Sequence, residues 1–295
     1  MELISYGTNS SLSTQVTTRS KWNKLDLLFG GEKMQPADRA ISILEALAQH
    51  SFGLPLSEVA DQLSIPRSAT HRLLADLKDE GYVRQDYEGG AYRLTAKLVA
   101  LGYSFLSTAG ASAILQPIID RLADRTGELV VLAVVDRGRL LRLIKAQGAR
   151  SGLLYNPDEG PEVYLAATSN GHAYLSAVSE EQALQLVARQ GFQHEGVGKN
   201  APKTIRELFE YVDRARQTGV AKIFDVWVNG TSAMAAPILH PRTGAPIGTI
   251  SIAGPTIRMT DERMNDFVEI LKAACTDVAE AGFNLPIFEQ SNVQS

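Results

Sequence analysis

The sequence predicts an α+β protein that opens with a winged helix-turn-helix and continues into a domain of antiparallel strands covered by helices. Three observations carry this prediction. Two short helical patterns flank the turn Ser64-Ile65-Pro66. A strand–turn–strand pattern over 82–94 follows at once, which completes the winged device that sets one helix in a DNA major groove. Beyond residue 111, helical periods alternate with strand runs joined by tight turns.

Each element has a local reason. Residues 37–49 place Ala40, Ile41, Ile43, Leu44, Leu47 and Ala48 along one helical stripe. A second helix over 56–63 turns Val59, Ala60 and Leu63 inward, with Pro55 in its first turn, where a missing N–H costs nothing. Pro66 opens a third helix that Gly81 stops. The hairpin alternates, sending Val83 and Tyr92 inward and Arg84 and Arg93 outward around a turn at 86–90. An apolar helix over 95–106 leads to a joint at 107–111. Beyond it come a helix over 112–125, an antiparallel hairpin of 128–135 and 140–144, and two helices opened by the capping boxes Ser179-x-x-Gln182 and Thr204-x-x-Glu207. Strands over 220–228, 232–239 and 246–253 precede a long helix that Thr260 caps and that ends at Gly282. The expected divisions are a mobile N-terminal arm (1–33), the winged helix-turn-helix (34–95), a linker helix (96–110), a second domain (111–284) and a C-terminal tail (285–295).

Composition narrows the function classes. The 295 residues suffice for about two domains, and 44% hydrophobic content fills ordinary cores. One cysteine, Cys275, rules out an internal disulfide framework and fits a reducing compartment, so a cytoplasmic protein with no membrane partner is expected. Net charge is −4, and from residue 34 to 94 nine acidic residues outnumber six basic ones. Attraction to DNA must therefore come from where the charges sit. No acidic residue falls between Gln62 and Ala75, while Arg67, Arg72, Arg84 and Arg93 lie on the third helix or the hairpin.

At about 100° per residue, Ala69, Thr70, Leu73 and Leu77 share one face of that third helix, while Ser68, His71, Arg72 and Ala75 share the other, with Arg67 at its edge. Arginine pairs bidentately with guanine, serine and histidine donate to acceptors, and alanine leaves room for a thymine methyl. On an isolated short helix such residues are ordinary solvated groups. A preceding helix and turn and a following basic hairpin favour the reading in which Ser68, His71 and Arg72 meet base edges while Arg84 and Arg93 hold phosphates.

The residues at 39–47, Leu56-Ser-Glu-Val-Ala60, Ile65-Pro-Arg-Ser-Ala-Thr-His-Arg-Leu-Leu74, Gly81-Tyr-Val-Arg84 and Tyr92-Arg-Leu94 resemble the IclR (isocitrate lyase regulator) family of bacterial transcription factors. So do Leu122-Ala-x-x-Thr-Gly-Glu128, Ala167-Thr-x-x-Gly171, Gly230, Ala235-Ala-Pro-Ile238 and Ile250-Ser-Ile-Ala-Gly-Pro255, in order and at the family's spacing. The resemblance implies a linker helix used in dimerisation and a GAF-like effector-binding domain. It also implies homodimers or homotetramers that bind double-stranded operator DNA and respond to a small organic or aromatic acid. It places Thr168, Ser169, Asn170, Gly171, Asp225, Ala233, Ser251 and Ala253 around one cavity, where free N–H groups at the start of a helix suit an oxyanion. The chain departs from the family at Pro55, at Ser68-Ala-Thr70, at Glu162 and Ala166, at His172 and at Asp225, beside Trp227. A pocket with fewer cations and a nearby tryptophan points to a larger or aromatic ligand.

Catalytic signatures are absent from the sequence. There is no Gly-x-Ser-x-Gly elbow, and Gly196-Val-Gly-Lys-Asn200 lacks the rest of a phosphate loop. Histidines at 50, 71, 172, 194 and 240 supply no metal-ligand spacing, so neither metal nor cofactor is expected. The alternative reading is an enzyme or metabolite-binding module whose helix-turn-helix serves protein contacts, supported by the acidic balance of 34–94.

Overall fold

The computed structural model describes residues 35–108, 110–157, 160–192 and 196–288. The expected N-terminal arm (1–33), His194 and the end of the tail lie outside the described residues. The chain divides into two compact units after Gly102. The division falls within the expected linker helix rather than at its ends.

The first unit holds α1 (Pro36–Ala48), α2 (Leu56–Leu63), α3 (Arg67–Asp79) and a hairpin of β1 (Val83–Gln85) and β2 (Tyr92–Leu94). Ile43, Leu47, Val59, Leu73, Leu74, Leu77, Val83 and Tyr92 form its core, and each such side chain withdrawn from water stabilises the fold by about 1.5–3 kcal/mol. Pro55 and Pro66 sit at the N-cap positions of α2 and α3, one residue earlier than a first-turn placement. Between these helices Ser64 adopts a left-handed φ of 54°, which lets Ile65 N donate to Ala60 O at 3.0 Å and sink its side chain. Leu54 pairs with Tyr92 and adds a third short partner to the hairpin. That pairing depends on Gly53, whose φ is +80° and whose Cβ, if it had one, would lie 2.3 Å from Tyr92 O. The long helix α4 (Ala96–Thr108) follows and crosses the boundary between the units.

In the second unit a five-stranded antiparallel sheet has the order β4-β3-β7-β6-β5. Its strands are β3 (Leu129–Asp136), β4 (Arg139–Gln147), β5 (Ala221–Phe224), β6 (Thr231–Leu239) and β7 (Pro246–Pro255). The helices are α5 (Ala111–Thr126), α6 (Ser169–Ser176), α7 (Glu180–Gln190), α8 (Ile205–Thr218) and α9 (Asp261–Gly282). Strand alternation sorts the two faces. Val130, Leu132, Val134, Met234, Ala236, Ile238, Ile250 and Ile252 pack with α5 and α9. Residues of opposite parity, such as Ala133 and Val135, face the layer containing α6, α7 and α8. Glu128, only 1% exposed, is gripped by Arg258 through two 2.7 Å hydrogen bonds, with Arg263 3.7 Å away, and this cluster ties the start of β3 to the chain that follows β7.

Two expectations are corrected here. The strand expected over 220–228 ends at Phe224, because Asp225 turns into a left-handed φ of 54° and 226–229 bend. Residue 284 does not end the second unit either. Pro286–Phe288 form a short 3-10 turn that buries Phe288 against the α5–α9 core. Among the described residues no single helix is long and apolar enough to cross a membrane.

Candidate nucleic-acid interface and effector cavity

In α3 the four residues Thr70, Leu73, Leu74 and Leu77 are buried, and Thr70 Oγ1 donates to Pro66 O at 3.2 Å. Arg67, Ser68, His71 and Arg72 are all exposed, and Ala75 is half-buried beside them. Thr70 thus belongs to the packed face, as the helical projection predicts. The first turn of α3 carries no acidic side chain, so its positive end and Arg67 together favour an anion. Arg67 lies 3.9 Å from Asp61, but both side chains are about two-thirds exposed or more, and such a pair contributes little. Among the described residues Arg72 and His71 make no ion pair.

The hairpin arginines are less available than the sequence suggests. Register places Arg84 directly across from Arg93. Both reach Asp86, at 3.6 and 3.4 Å, and Arg93 Nε donates to Phe52 O at 2.8 Å. The sequence assigns both to DNA phosphates. The structure gives them a shared carboxylate from their own turn.

A cavity of about 40 Å³ lies in the second unit between the sheet and α6. The strand parity that turns isoleucines towards α9 turns Leu129, Val131, Ala233, Ser251 and Ala253 into this cavity, and Thr168, Ser169 and Asn170 line it from the start of α6. Three buried polar side chains are chained together there. Thr249 Oγ1 donates to Asn170 Oδ1, and Asn170 Nδ2 donates to Ser251 Oγ, each at 2.8 Å. Ser251 accepts in that chain, so its own O–H proton remains to be donated. Arg142 brings a positive charge to the wall, where its Nη1 donates to the carbonyls of Gly160 and Glu162. No carboxylate appears among the described residues that line the cavity. The lining thus combines hydroxyls and an amide with a guanidinium.

Two residues placed at the cavity by resemblance are not there. Gly171 does not line it. Its N–H donates to Thr168 Oγ1, the helix cap, and a Cβ at this position would lie 2.3 Å from Leu165 O. The glycine lets two backbone segments touch, and the N–H expected to meet an oxyanion is already taken. Asp225 does not line the cavity either. Its carboxylate is 2.8 Å from Lys199 Nζ and accepts from Gly230 N, and these bonds to Lys199 and Gly230 hold its pKa below the usual carboxylate range. It fixes the turn that ends β5.

Sequence reasoning missed other wall residues. Leu129, Val131 and Ile223 share the parity of the residues it chose, so alternation could have found them. Arg142 could not be found that way. A register shift beside Leu132 and Ala133 takes the partner from Ile144 to Arg142 and breaks the parity of β4. Tyr155 and Pro157 lie outside any periodic element, and Trp227, noted in the sequence, proves to be part of the wall.

His172 is wholly buried behind this wall. Its Nε2 donates to Ala166 O at 2.9 Å, its ring stacks 5.1 Å from Tyr211, and its Nδ1 has no partner among the described residues. Burial lowers its pKa to about 4, against the Ala166 hydrogen bond and with a further push from the charge of Arg214. Cys275 is equally inert as a nucleophile, since burial raises its pKa to about 12.

The IclR helix-turn-helix domain profile matches residues 36–87, and that of the IclR C-terminal domain of bacterial transcriptional regulators matches 104–280. The transcriptional repressor IclR of Escherichia coli K12 is 31% identical over 244 residues, which cover 82% of this chain and 88% of that protein. Among solved structures, an IclR regulator of Alicyclobacillus acidocaldarius aligns with a TM-score of 0.72 at 21% identity, over 84% of this chain and 99% of its own. An IclR homologue of Microbacterium hydrocarbonoxydans complexed with 4-hydroxybenzoate aligns at 0.65 and 18% identity, over 84% and 98%. Both domains match in order and a curated relative shares nearly a third of the sequence, so this chain belongs to the IclR family of bacterial transcriptional regulators.

Proposed function

We propose that the protein is a cytoplasmic repressor that binds operator DNA as an oligomer and lets go, or holds tighter, when an organic acid enters the second unit. The observation that carries the reading is the two-sidedness of α3. Its apolar face and Thr70 are buried while Ser68, His71 and Arg72 stand exposed beside a helix start free of acids. In this reading Ser68, His71 and Arg72 meet base edges, and Arg67, Arg84 and Arg93 meet phosphates. The E. coli relative, a repressor, supports the direction of control.

Oligomerisation is supported by α4, where Val99, Leu101, Tyr103 and Phe105 are each more than half exposed. So much apolar surface on one helix fits a helix that pairs with a second copy. The two units then correspond to a DNA-reading module and an effector module, with α4 between them in the chain.

Thr168, Ser169, Asn170, Ser251, Ala233 and Ala253 are assigned to the effector, with Arg142 as the charge that meets its carboxylate. At about 40 Å³ the cavity is small. That volume favours a compact acid over the larger or aromatic ligand expected from the sequence. A short-chain carboxylate needs only a small adjustment of the wall, whereas an aromatic acid of the kind bound by the Microbacterium homologue needs Tyr155 or Trp227 to move.

The test has two arms. Arg72→Ala should weaken discrimination between the DNA upstream of the protein's own gene and random duplex by about 1–3 kcal/mol while leaving the melting temperature unchanged. If discrimination is undiminished, Arg72 does not read DNA, and the alternative of a helix-turn-helix used for protein contacts is favoured. In the second arm, a thermal-shift screen sets short-chain carboxylates beside 4-hydroxybenzoate, and Ser251→Ala should remove the shift given by the best of them. A shift unaffected by Ser251→Ala would place the effector elsewhere.

A further inference from the structure

The wing carries a residue that opposes its own role. Arg84 and Arg93 sit directly opposite each other on β1 and β2, and like charges in that position repel. Asp86, one residue beyond the end of β1, answers both, with one carboxylate oxygen 3.6 Å from Arg84 Nε and the other 3.4 Å from an Arg93 Nη. All three side chains are between 36 and 59% exposed, so the pairs are weak enough for a phosphate to displace. Arg93 is also tethered through Nε to Phe52 O, which keeps its guanidinium within reach of Asp86.

We propose that Asp86 is a specificity-determining residue, an internal competitor for phosphate that holds down sequence-independent DNA affinity. The proposal rests on the reading above that the wing arginines face the DNA backbone. Two arginines and one aspartate present a net single positive charge to a phosphate, where two arginines alone would present two. Non-specific binding is almost wholly such charge neutralisation, whereas base contacts by α3 carry the sequence information. A carboxylate that damps the first without touching the second widens the gap between operator and random DNA. The net acidic count over 34–94 fits the same economy of positive charge.

The test uses the full chain and a fluorescein-labelled duplex of random sequence, with affinity followed by anisotropy across a salt series. Asp86→Asn, which keeps the shape of the side chain, should tighten binding several-fold at low salt. It should also steepen the dependence of log affinity on log salt by about 0.9 for each protomer bound. Glu88→Gln removes a carboxylate from the same turn, where Glu88 makes no ion pair among the described residues, and should do less than half as much. The gain should vanish when Arg84→Ala and Arg93→Ala are added. Asp86→Ser serves as a second variant if the asparagine protein folds poorly. An unchanged slope in Asp86→Asn overturns the proposal, and so does a gain that persists without the two arginines or is matched by Glu88→Gln. If neither wild type nor Asp86→Asn binds duplex at the lowest salt, the DNA reading itself has failed. Binding by both, with no effect of the arginine substitutions, removes only the wing from that reading and the proposal with it.

Discussion

Acidification should destabilise the second unit in a window set by His172. The imidazole is fully buried, its Nδ1 has no partner among the described residues, and its pKa is lowered from 6.5 to about 4, chiefly by burial. The unfolded chain therefore binds the proton more readily than the folded one, and stability rises with pH across this interval. The contribution is whole above pH 6.5 and disappears as pH falls from 6.5 towards 4. At one pKa unit per 1.36 kcal/mol, the complete loss is about 3 kcal/mol, and at pH 5 about 2 kcal/mol is already gone. Asp225 and Asp261, whose pKa values are lowered chiefly by Lys199 and Lys222, do not mimic this, because their contribution is lost from the ordinary carboxylate range downward, below most of the interval in which His172 acts. Urea unfolding at pH 7.5 and pH 5, followed by far-UV circular dichroism at matched protomer concentration, reads the difference directly. His172→Gln cannot take up the proton, so its midpoint should be lower at neutral pH and nearly the same at both pH values. If the variant kept the wild-type pH dependence, the buried imidazole would not be its source and the reasoning would be refuted.

Two substitutions test the packing that frames the cavity. Gly171→Ala forces a methyl to 2.3 Å from Leu165 O, a contact with backbone that cannot swing aside. It should destabilise the protein by at least about 2 kcal/mol, seen as a lower thermal midpoint. Removing either partner of the Glu128–Arg258 pair should be unequal in effect, since Glu128 is 1% exposed and the Arg258 side chain 28%. Arg258→Met leaves a buried carboxylate with only Arg263, 3.7 Å away, and should cost about 3 kcal/mol, whereas Glu128→Gln leaves the arginine able to reach solvent and should cost less. Equal losses in urea titrations of the two variants would contradict that account.

The legible parts of this molecule were those where one period governs a segment. A 3.6-residue repeat gave α1, α2 and α3 and put Thr70 on the packed side despite its hydroxyl, since Leu73 and Leu77 share its angle. Capping residues fixed the starts of α7, α8 and α9, where Ser179, Thr204 and Thr260 each accept from the N–H three residues on. What stayed hidden depends on contacts made across the chain. Thr168 and Gly171 read equally well as an oxyanion site or as a cap with a close backbone crossing, because only the position of Leu165 separates the two. Phe288 carries no helical or strand context that would distinguish a tail from a plug in the α5–α9 core.

Asp225 shows the limit most sharply. A strand pattern runs through Ala221, Ile223 and on to Val226 and Val228, and by alternation Asp225 would point to the same side as Ile223, into the cavity. One left-handed residue cancels that inference, because φ of 54° turns the chain away and delivers the carboxylate to Lys199 and Gly230 instead. Aspartate is among the few side chains that enter this region at modest cost, so the residue whose charge suggested a ligand contact is also one suited to end the strand. Its removal from the wall has a chemical consequence. With Asp225 there, the cavity would set a carboxylate against Arg142 and favour a neutral or zwitterionic guest. Without it, the described residues of the wall are Arg142, hydroxyl-bearing side chains, the Asn170 amide and apolar groups, with no carboxylate among them.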